Sequence, residues 1–306
     1  EDHVVKQVAP TPKPFDVLES RRTGLYVLPS LLPRIKRVID QFFNVPPSDP
    51  HFGKKWKTCA IVGNSGTLLE AEYGPQIGAH EMVMRINLAP VKGFEAHVGP
   101  RTDVNFINGH RLHYCTQEVP GQEGECACFP YGRRVPVLMY LWAEYQYDDL
   151  AICKLKHPKE KFIVLDGAVK HLATEIIARY SKIMEDKRER EFYEEQARLE
   201  QQRETGGLGE EGEFRKQRFA RRKGVPEYSS GMEAITVLLT LCNSLSIFGF
   251  GKREGVQHHY WENTTLHEYG AHDYSAEQLY YDDLVNNRPV PLLSSAMHIP
   301  QVKFFD

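Results

Sequence analysis

Residues 59–66 read Cys59-Ala60-Ile61-Val62-Gly63-Asn64-Ser65-Gly66. Cys59 to Val62 is an apolar run too short for a helix and closed by a glycine, the pattern of a buried strand. Gly63-Asn64-Ser65-Gly66 then makes a tight turn, and Thr67 to Glu72 begins a helix. A strand, a glycine turn and a helix start is the arrangement by which a chain aims backbone N–H groups at a phosphate. The turn is not the six-residue dinucleotide fingerprint, and it lacks the Lys-Ser/Thr of a P-loop. On its own it is equally an ordinary strand-to-helix connection.

Working outward, the same alternation continues. Short apolar runs at Val83–Ile86, Val104–Ile107, Val135–Tyr140, Phe162–Leu165 and Leu245–Phe250 read as strands. Helical periodicity falls between them, at Lys170–Met184 and at Ser229–Cys242. Residues 57–306 are therefore expected to form one α/β domain, Rossmann-like, with a mostly parallel central sheet flanked by helices. Residues 1–56 read as a linker plus an amphipathic helix, Leu31 to Phe43, stopped by Pro46-Pro47. Residues 185–224 form a charged insertion. It reads as a solvated helix and loop, or else its Arg215, Lys216, Arg218, Arg221, Arg222 and Lys223 offer a cationic lip to an acidic glycan. Leu245–Phe250 ends in a second glycine turn, Gly249-Phe250-Gly251, at the sheet edge where open α/β folds bind ligands. Residues 255–306 are polar and histidine-rich and end in a short apolar tail.

A net charge of −3 over 306 residues gives no electrostatic case for nucleic acid as a partner. No run of 18 apolar residues of the kind that spans a membrane occurs, and no stretch of these residues reads as a signal peptide. The polar start, Glu1 to Pro14, suggests a luminal piece of a protein whose membrane anchor lies outside this sequence. The six cysteines are compatible with an oxidising compartment, and Asn263-Thr264-Thr265 is a glycosylation sequon. His110, His113, Cys115, Cys126 and Cys128 have a spacing that also suits zinc, with disulfides preferred in a secretory setting. No Asp-x-Asp occurs; a metal bridging a diphosphate sugar commonly needs such a pair. The adjacent pairs Asp148-Asp149 and Asp282-Asp283 read as surface charge. This favours a donor with a single phosphate and no metal cofactor.

Several stretches carry a more specific signal. After Cys59–Gly66 come Tyr73-Gly74-Pro75-Gln76-Ile77, Met84-Arg85-Ile86-Asn87-Leu88-Ala89-Pro90 and Phe94-Glu95-Ala96-His97-Val98-Gly99, followed by Arg101-Thr102. Together they resemble the large sialylmotif of eukaryotic sialyltransferases, glycosyltransferase family 29. Ser229-Ser230-Gly231-Met232 to Cys242, with Phe248-Gly249-Phe250-Gly251, resembles the small motif. His258-His259-Tyr260-Trp261-Glu262 resembles the third motif, and His272-Asp273-Tyr274-Ser275-Ala276-Glu277 the very small one. The order is the family's. Tyr228-Ser229-Ser230-Gly231-Met232 and His272-Asp273-Tyr274 look like the plant and algal sialyltransferase-like branch, whereas residues 108–225 do not resemble the animal enzymes.

The resemblance implies the family's variant of the nucleotide-binding fold, described as GT-A-like. It implies a cytidine monophosphate (CMP) sugar as donor, a glycan hydroxyl as acceptor, no metal, and a type II membrane protein of the Golgi lumen. It carries nucleotide binding onto Asn64, Ser65, Asn87, Ser229, Ser230, Gly231, Gly249 and Gly251. It makes His259 a phosphate partner and general acid, and His272 the base, with Glu277 orienting a neighbouring helix or that histidine. The transferred sugar would be an ulosonic acid: Kdo in a plant-like setting, or sialic acid. A galactosyl transfer onto arabinogalactan and a non-catalytic glycan-binding role are the alternatives. The family joins Cys59 to Cys242, which would clamp both halves of the site, and leaves the pairing of Cys115, Cys126, Cys128 and Cys153 open. One departure stands out: Pro226-Glu227-Tyr228 replaces the usual Tyr-Pro before the small motif, and Tyr228 is the candidate substitute.

Overall fold

The computed structural model describes residues 55–112, 129, 131–132, 134–165, 167–204, 219–220, 224, 226–253, 255–263, 272–293 and 299–306. The expected Leu31–Phe43 helix lies outside these, as do Cys115, Cys126, Cys128 and the basic group from Arg215 to Lys223. Among the described residues no helix is long and apolar enough to cross a membrane.

The strands are β1 (Cys59–Val62), β2 (Met82–Ile86), β3 (Val104–Asn108), β4 (Val137–Tyr140), β5 (Phe162–Val164), β6 (Ser244–Phe248) and β7 (Gln301–Phe305). They form one sheet in the order β5-β4-β3-β2-β1-β6-β7, with every pairing parallel. Both faces of the central strands are buried, which is why they read as continuous apolar runs. Alternation still sorts the side chains: Cys59 and Ile61 enter one core while Ala60 and Val62 enter another on the opposite face. β7 was read as an apolar tail rather than a strand. It is an edge strand whose Gln301 and Lys303 are exposed, so polar residues interrupt the apolar signal.

The helices are α1 (Gly74–Gly78), α2 (Glu95–Val98), α3 (Glu144–Lys156), α4 (Gly167–Glu204), α5 (Ser230–Leu241) and α6 (Tyr274–Val285). α5 is apolar nearly all round because it is buried nearly all round, against β2, β3 and β6. α4 and α6 cover the same face; the Tyr180 ring packs 5.6 Å from that of Tyr280, tilted by 56°, and its hydroxyl donates to Asp283 at 2.7 Å. α4 runs 20 residues past the expected Met184, so the first half of the charged insertion is a solvated helix.

Two expectations are corrected here. The helix expected from Thr67 to Glu72 is a five-residue 3-10 turn, Gly66–Glu70, capped by Ser65 and stopped by extended backbone at Ala71. The Cys59–Cys242 disulfide is present, but it ties the first residue of β1 to the far end of α5. At about 3.3 Å per strand residue it lies roughly 10 Å from the ligand edge, so it clamps the base of the sheet rather than the site. Cys153 is a buried thiol that donates to the Leu112 carbonyl at 3.9 Å.

Candidate active site

Strand order reverses between β1 and β6, because the chain builds outward from β1 to β5 and then returns to β1's other side. At such a switch point the turns leaving adjacent strands diverge and leave a crevice. A cleft of about 310 Å³ opens there. The Gly63–Gly66 turn forms its first corner and touches the turn after β6: a Cβ on Gly63 would sit 2.3 Å from the Gly249 carbonyl. Gly249 itself has φ +69°, with Leu68 filling the space where its side chain would stand.

Three of the four backbone amides of the first corner are not offered as expected. Gly63 N–H donates to Phe248 O at 2.8 Å, Ser65 N–H to Gly249 O at 3.0 Å and Gly66 N–H to Gln257 O at 2.9 Å. These bonds stitch the two halves of the motif set together. Ser65 is also committed, since its buried hydroxyl donates to Gly251 O at 2.6 Å and accepts from Thr67 N–H. What this corner turns to the cleft is Asn64, whose buried Oδ1 has no hydrogen-bond partner among the described residues.

The second corner is the N-terminus of α5. Ser229 caps it, accepting from Met232 N–H at 3.2 Å. The Glu277 carboxylate on α6 then accepts from both Ser229 N–H and Ser229 Oγ–H, each at 2.7 Å, and from Tyr281 Oη–H at 3.0 Å. Glu277 thus orients the helix, the first of the two roles considered for it. Burial pushes its carboxyl above the ordinary carboxylate range, against the pull of these donors and of His272. Ser230 and Gly231, the first two helical residues, line the cleft. Ser230 Oγ meets Tyr140 Oη at 3.1 Å and Asn108 Nδ2–H at 3.4 Å.

Asn87 follows β2 with φ +57°, a left-handed conformation that asparagine tolerates. Its Oδ1 accepts from Asn108 N–H at 3.3 Å. The neighbouring motif arginine, Arg85, is not a cleft residue. It is fully buried and donates to Thr102, Val98 O and Gly99 O, holding the loop between α2 and β3. Burial lowers its pKa.

Two histidines close the cleft. His259 Nδ1 lies 2.8 Å from Glu262 Oε2, and its ring stacks on Trp261 at 4.5 Å with 3° between planes. Tyr260 N–H donates to Asn64 O at 2.9 Å, so the third motif is pinned directly to the first corner. His272 Nδ1 lies 2.9 Å from the Glu227 carbonyl. A carbonyl only accepts, so Nδ1 carries the proton and Nε2 is the basic nitrogen of the neutral ring. Lys252 adds positive charge, 3.0 Å from His258 Nδ1 and 5.0 Å from the Tyr274 ring centroid.

The sequence pattern of glycosyltransferase family 29 (sialyltransferase) matches residues 16–125 and 212–288. The chain belongs to glycosyltransferase family 29. A family relative, beta-1,6-galactosyltransferase GALT29A of Arabidopsis thaliana, is 34% identical over 85% of this chain and 60% of its own length. Sialyltransferase-like protein 2 of Oryza sativa subsp. indica is 37% identical over 80% of this chain and 57% of its own. The chain thus spans about three-fifths of the length of these relatives. A crystal structure of a mammalian sialyltransferase in complex with Gal-beta-1-3GalNAc-ortho-nitrophenol has the same fold, with a TM-score of 0.56 at 20% identity over 96% of this chain and 90% of that one.

Of the residues carried over from the family-29 resemblance, Asn64, Ser65, Asn87, Ser229, Ser230, Gly231, Gly249, His259 and His272 line this cleft. Gly251 does not; it stands behind, accepting from Ser65 and donating to Asp306 at 3.0 Å. Tyr228 does not either. It packs against Tyr140 at 6.1 Å behind the helix, with burial pushing its hydroxyl pKa up, so it fills no gap left by the missing Tyr-Pro. Sequence reasoning missed Asn108, Arg111, Lys252, Trp261, Glu262 and Tyr274. Trp261, Glu262 and Tyr274 sat inside the quoted motifs without a role. Asn108 and Arg111 begin the segment that resembles nothing in the animal enzymes, and only their place after β3 signalled them.

Proposed function

We propose that this chain is the catalytic part of an inverting, metal-independent glycosyltransferase. It would move a sugar from a CMP-sugar donor to a hydroxyl of a glycan acceptor. The observation that carries this reading is that His259 and His272 share one cleft with the N-terminus of α5. The helix end, with Lys252, Arg111 and the histidines around it, favours an anion. These charges supply locally what a metal supplies to diphosphate sugars.

The chemistry follows from the positions. His272 Nε2 takes the proton from the acceptor hydroxyl as its oxygen attacks the anomeric carbon. The bond from that carbon to the phosphate oxygen breaks on the opposite side, leaving its electrons on CMP. His259, with Nδ1 held by Glu262, presents Nε2 to that phosphate. One displacement inverts the anomeric centre. In a plant-like setting Kdo is the favoured sugar and a cell-wall polysaccharide the acceptor, with the protein acting in the Golgi lumen.

A second reading has a specific observation behind it, the 34% identity to a beta-1,6-galactosyltransferase. It keeps the fold and the base and changes the donor to a galactosyl nucleotide. Thermal shift separates the two, because a ligand that binds only the native state raises apparent stability. Stabilisation by CMP, and not by UDP, is expected; UDP alone would move the assignment to galactosyl transfer. His272→Ala is expected to lower transfer by roughly 10²–10⁴-fold, the usual contribution of a general base, with CMP binding retained. Unchanged turnover in that variant would remove His272 from the mechanism.

A further inference from the structure

Beside the cleft, the ends of β3 and β4 carry a feature the reaction above does not use. Trp142 is 50% exposed and Tyr145 43% exposed, large aromatic surfaces left in water. Their rings meet edge to face at 6.3 Å and 85°. They are not loosely held. Gln146, fully buried on α3, accepts from Trp142 N–H at 2.8 Å and from Ala143 N–H at 3.3 Å. Its Nε2–H donates to Tyr145 Oη at 3.4 Å, and His110 Nδ1 lies 3.3 Å from the same hydroxyl. Gly109 makes this possible: a Cβ there would stand 2.4 Å from Gln146 Oε1. One buried amide therefore holds the Trp142 backbone and the Tyr145 hydroxyl.

Neighbouring residues connect the pair to the cleft on two sides. Tyr140, two residues before Trp142, contacts Ser230 at 3.1 Å, and Ser230 lines the cleft. Arg111, next to His110, lines it as well. Rigid aromatics at the rim of a site give contact area at little cost in conformational entropy. A flat exposed indole suits the face of a pyranose ring that carries only C–H bonds, with the sugar hydroxyls left in water.

We propose that Trp142 and Tyr145 form the platform on which the acceptor glycan's pyranosyl residue stacks, with a galacto-configured ring, whose C3, C4 and C5 hydrogens share one face, as the preferred occupant. The assignment rests on the glycosyltransferase reading, and its test separates the two. Binding of a β-1,6-linked galacto-oligosaccharide to the whole chain, without donor, is read by saturation-transfer NMR. Donor-site integrity is read in parallel by CMP thermal shift. Trp142→Ala is expected to weaken oligosaccharide binding about tenfold, a stacking loss of ~1.4 kcal/mol, with the CMP response unchanged. Trp142→Phe, which keeps a ring face, should restore most of it. A cello-oligosaccharide should bind more weakly than the galacto-oligosaccharide. Where transfer is measurable, the acceptor KM should rise in the Ala variant while nucleotide release by donor hydrolysis stays constant. Oligosaccharide affinity and acceptor KM unchanged in Trp142→Ala would overturn the platform, even with CMP binding intact. Failure of CMP to bind while the oligosaccharide still saturates through Trp142 would overturn the donor assignment and leave the platform standing.

Discussion

The two corners of the cleft are built from similar sequence, Gly63-Asn64-Ser65-Gly66 and Ser229-Ser230-Gly231, yet their hydrogen bonds commit opposite parts of the chain. At the first, three backbone amides are bonded to the second half of the chain, and a side chain, Asn64, faces the cleft. At the second, the leading side chain, Ser229, is tied up by Glu277, and Ser230 and Gly231 at the helix start line the cleft. A glycine turn after a strand therefore does not imply an amide cradle. Whether its N–H groups are available depends on what packs against it, and here β6 and the Gln257 backbone consume them. On the proposed reading the charge-bearing part of a donor would sit at the second corner, and the first would serve as a neutral hydrogen-bonding wall.

The sharpest way to break that contrast is to release the second corner. Glu277→Ala leaves Ser229 N–H, Ser229 Oγ and Tyr281 Oη without their shared acceptor in a buried place. We expect a stability loss of about 3 kcal/mol in chemical denaturation, from unsatisfied buried donors. We also expect kcat/KM to fall on the order of a hundredfold, because the helix start shifts relative to His272. Wild-type kcat/KM in this variant would show that the orientation of α5 does not matter to the reaction.

A smaller effect sharpens the first corner. Asn64→Ala removes a side chain whose inward oxygen has no hydrogen-bond partner among the described residues, so little internal bonding is lost. Stability should change by less than about 1 kcal/mol, while nucleotide affinity falls roughly tenfold, the value of one good hydrogen bond to a ligand. Calorimetric titration with CMP reads the affinity, and chemical denaturation the stability. A large loss of stability with unchanged affinity would reverse the roles assigned to the corners.

The fold was legible because a parallel sheet buried on both faces writes itself as short apolar runs, and six such runs stand within two residues of the observed strands. β7 was not legible, since an edge strand needs only half its residues apolar. The cleft residues within motifs were legible as names but not as roles. Ser65 and Gly251 look like ligand contacts in one dimension and turn out to bind each other across 186 positions. The disulfide was placed on the correct cysteines and given the wrong purpose, because sequence order does not say which end of a short strand faces the ligand. Trp142 and Tyr145 carried no signal, as their exposure depends on Gly109 and Gln146 meeting from separate strands' ends.

The mildest test of the contrast concerns pH. Glu233 lies in the first turn of α5, fully buried, and burial pushes its carboxyl up to about 8. Lys170 on α4 and Tyr228 face it and pull the other way, although neither Glu233 oxygen nor the Tyr228 hydroxyl reaches hydrogen-bond geometry. The neighbouring Tyr140 hydroxyl is in turn pushed up by burial and by Glu233. At neutral pH Glu233 is therefore held protonated and adds no negative charge behind the helix end proposed to receive phosphate. Its folded-state pKa lies above the ordinary 4.5, so the stability it contributes is fully present below about 4.5 and is lost as pH rises through about 8. Above that pH its ionised carboxylate also opposes an anion at Ser230 and Gly231. Glu233→Gln keeps the shape and removes the titration. The wild type is expected to lose both melting temperature and CMP affinity between pH 6 and 9, with the variant's profiles flatter over the same window. Parallel profiles for the two proteins would mean that Glu233 is already ionised at neutral pH and that α5 receives its ligand despite a buried negative charge.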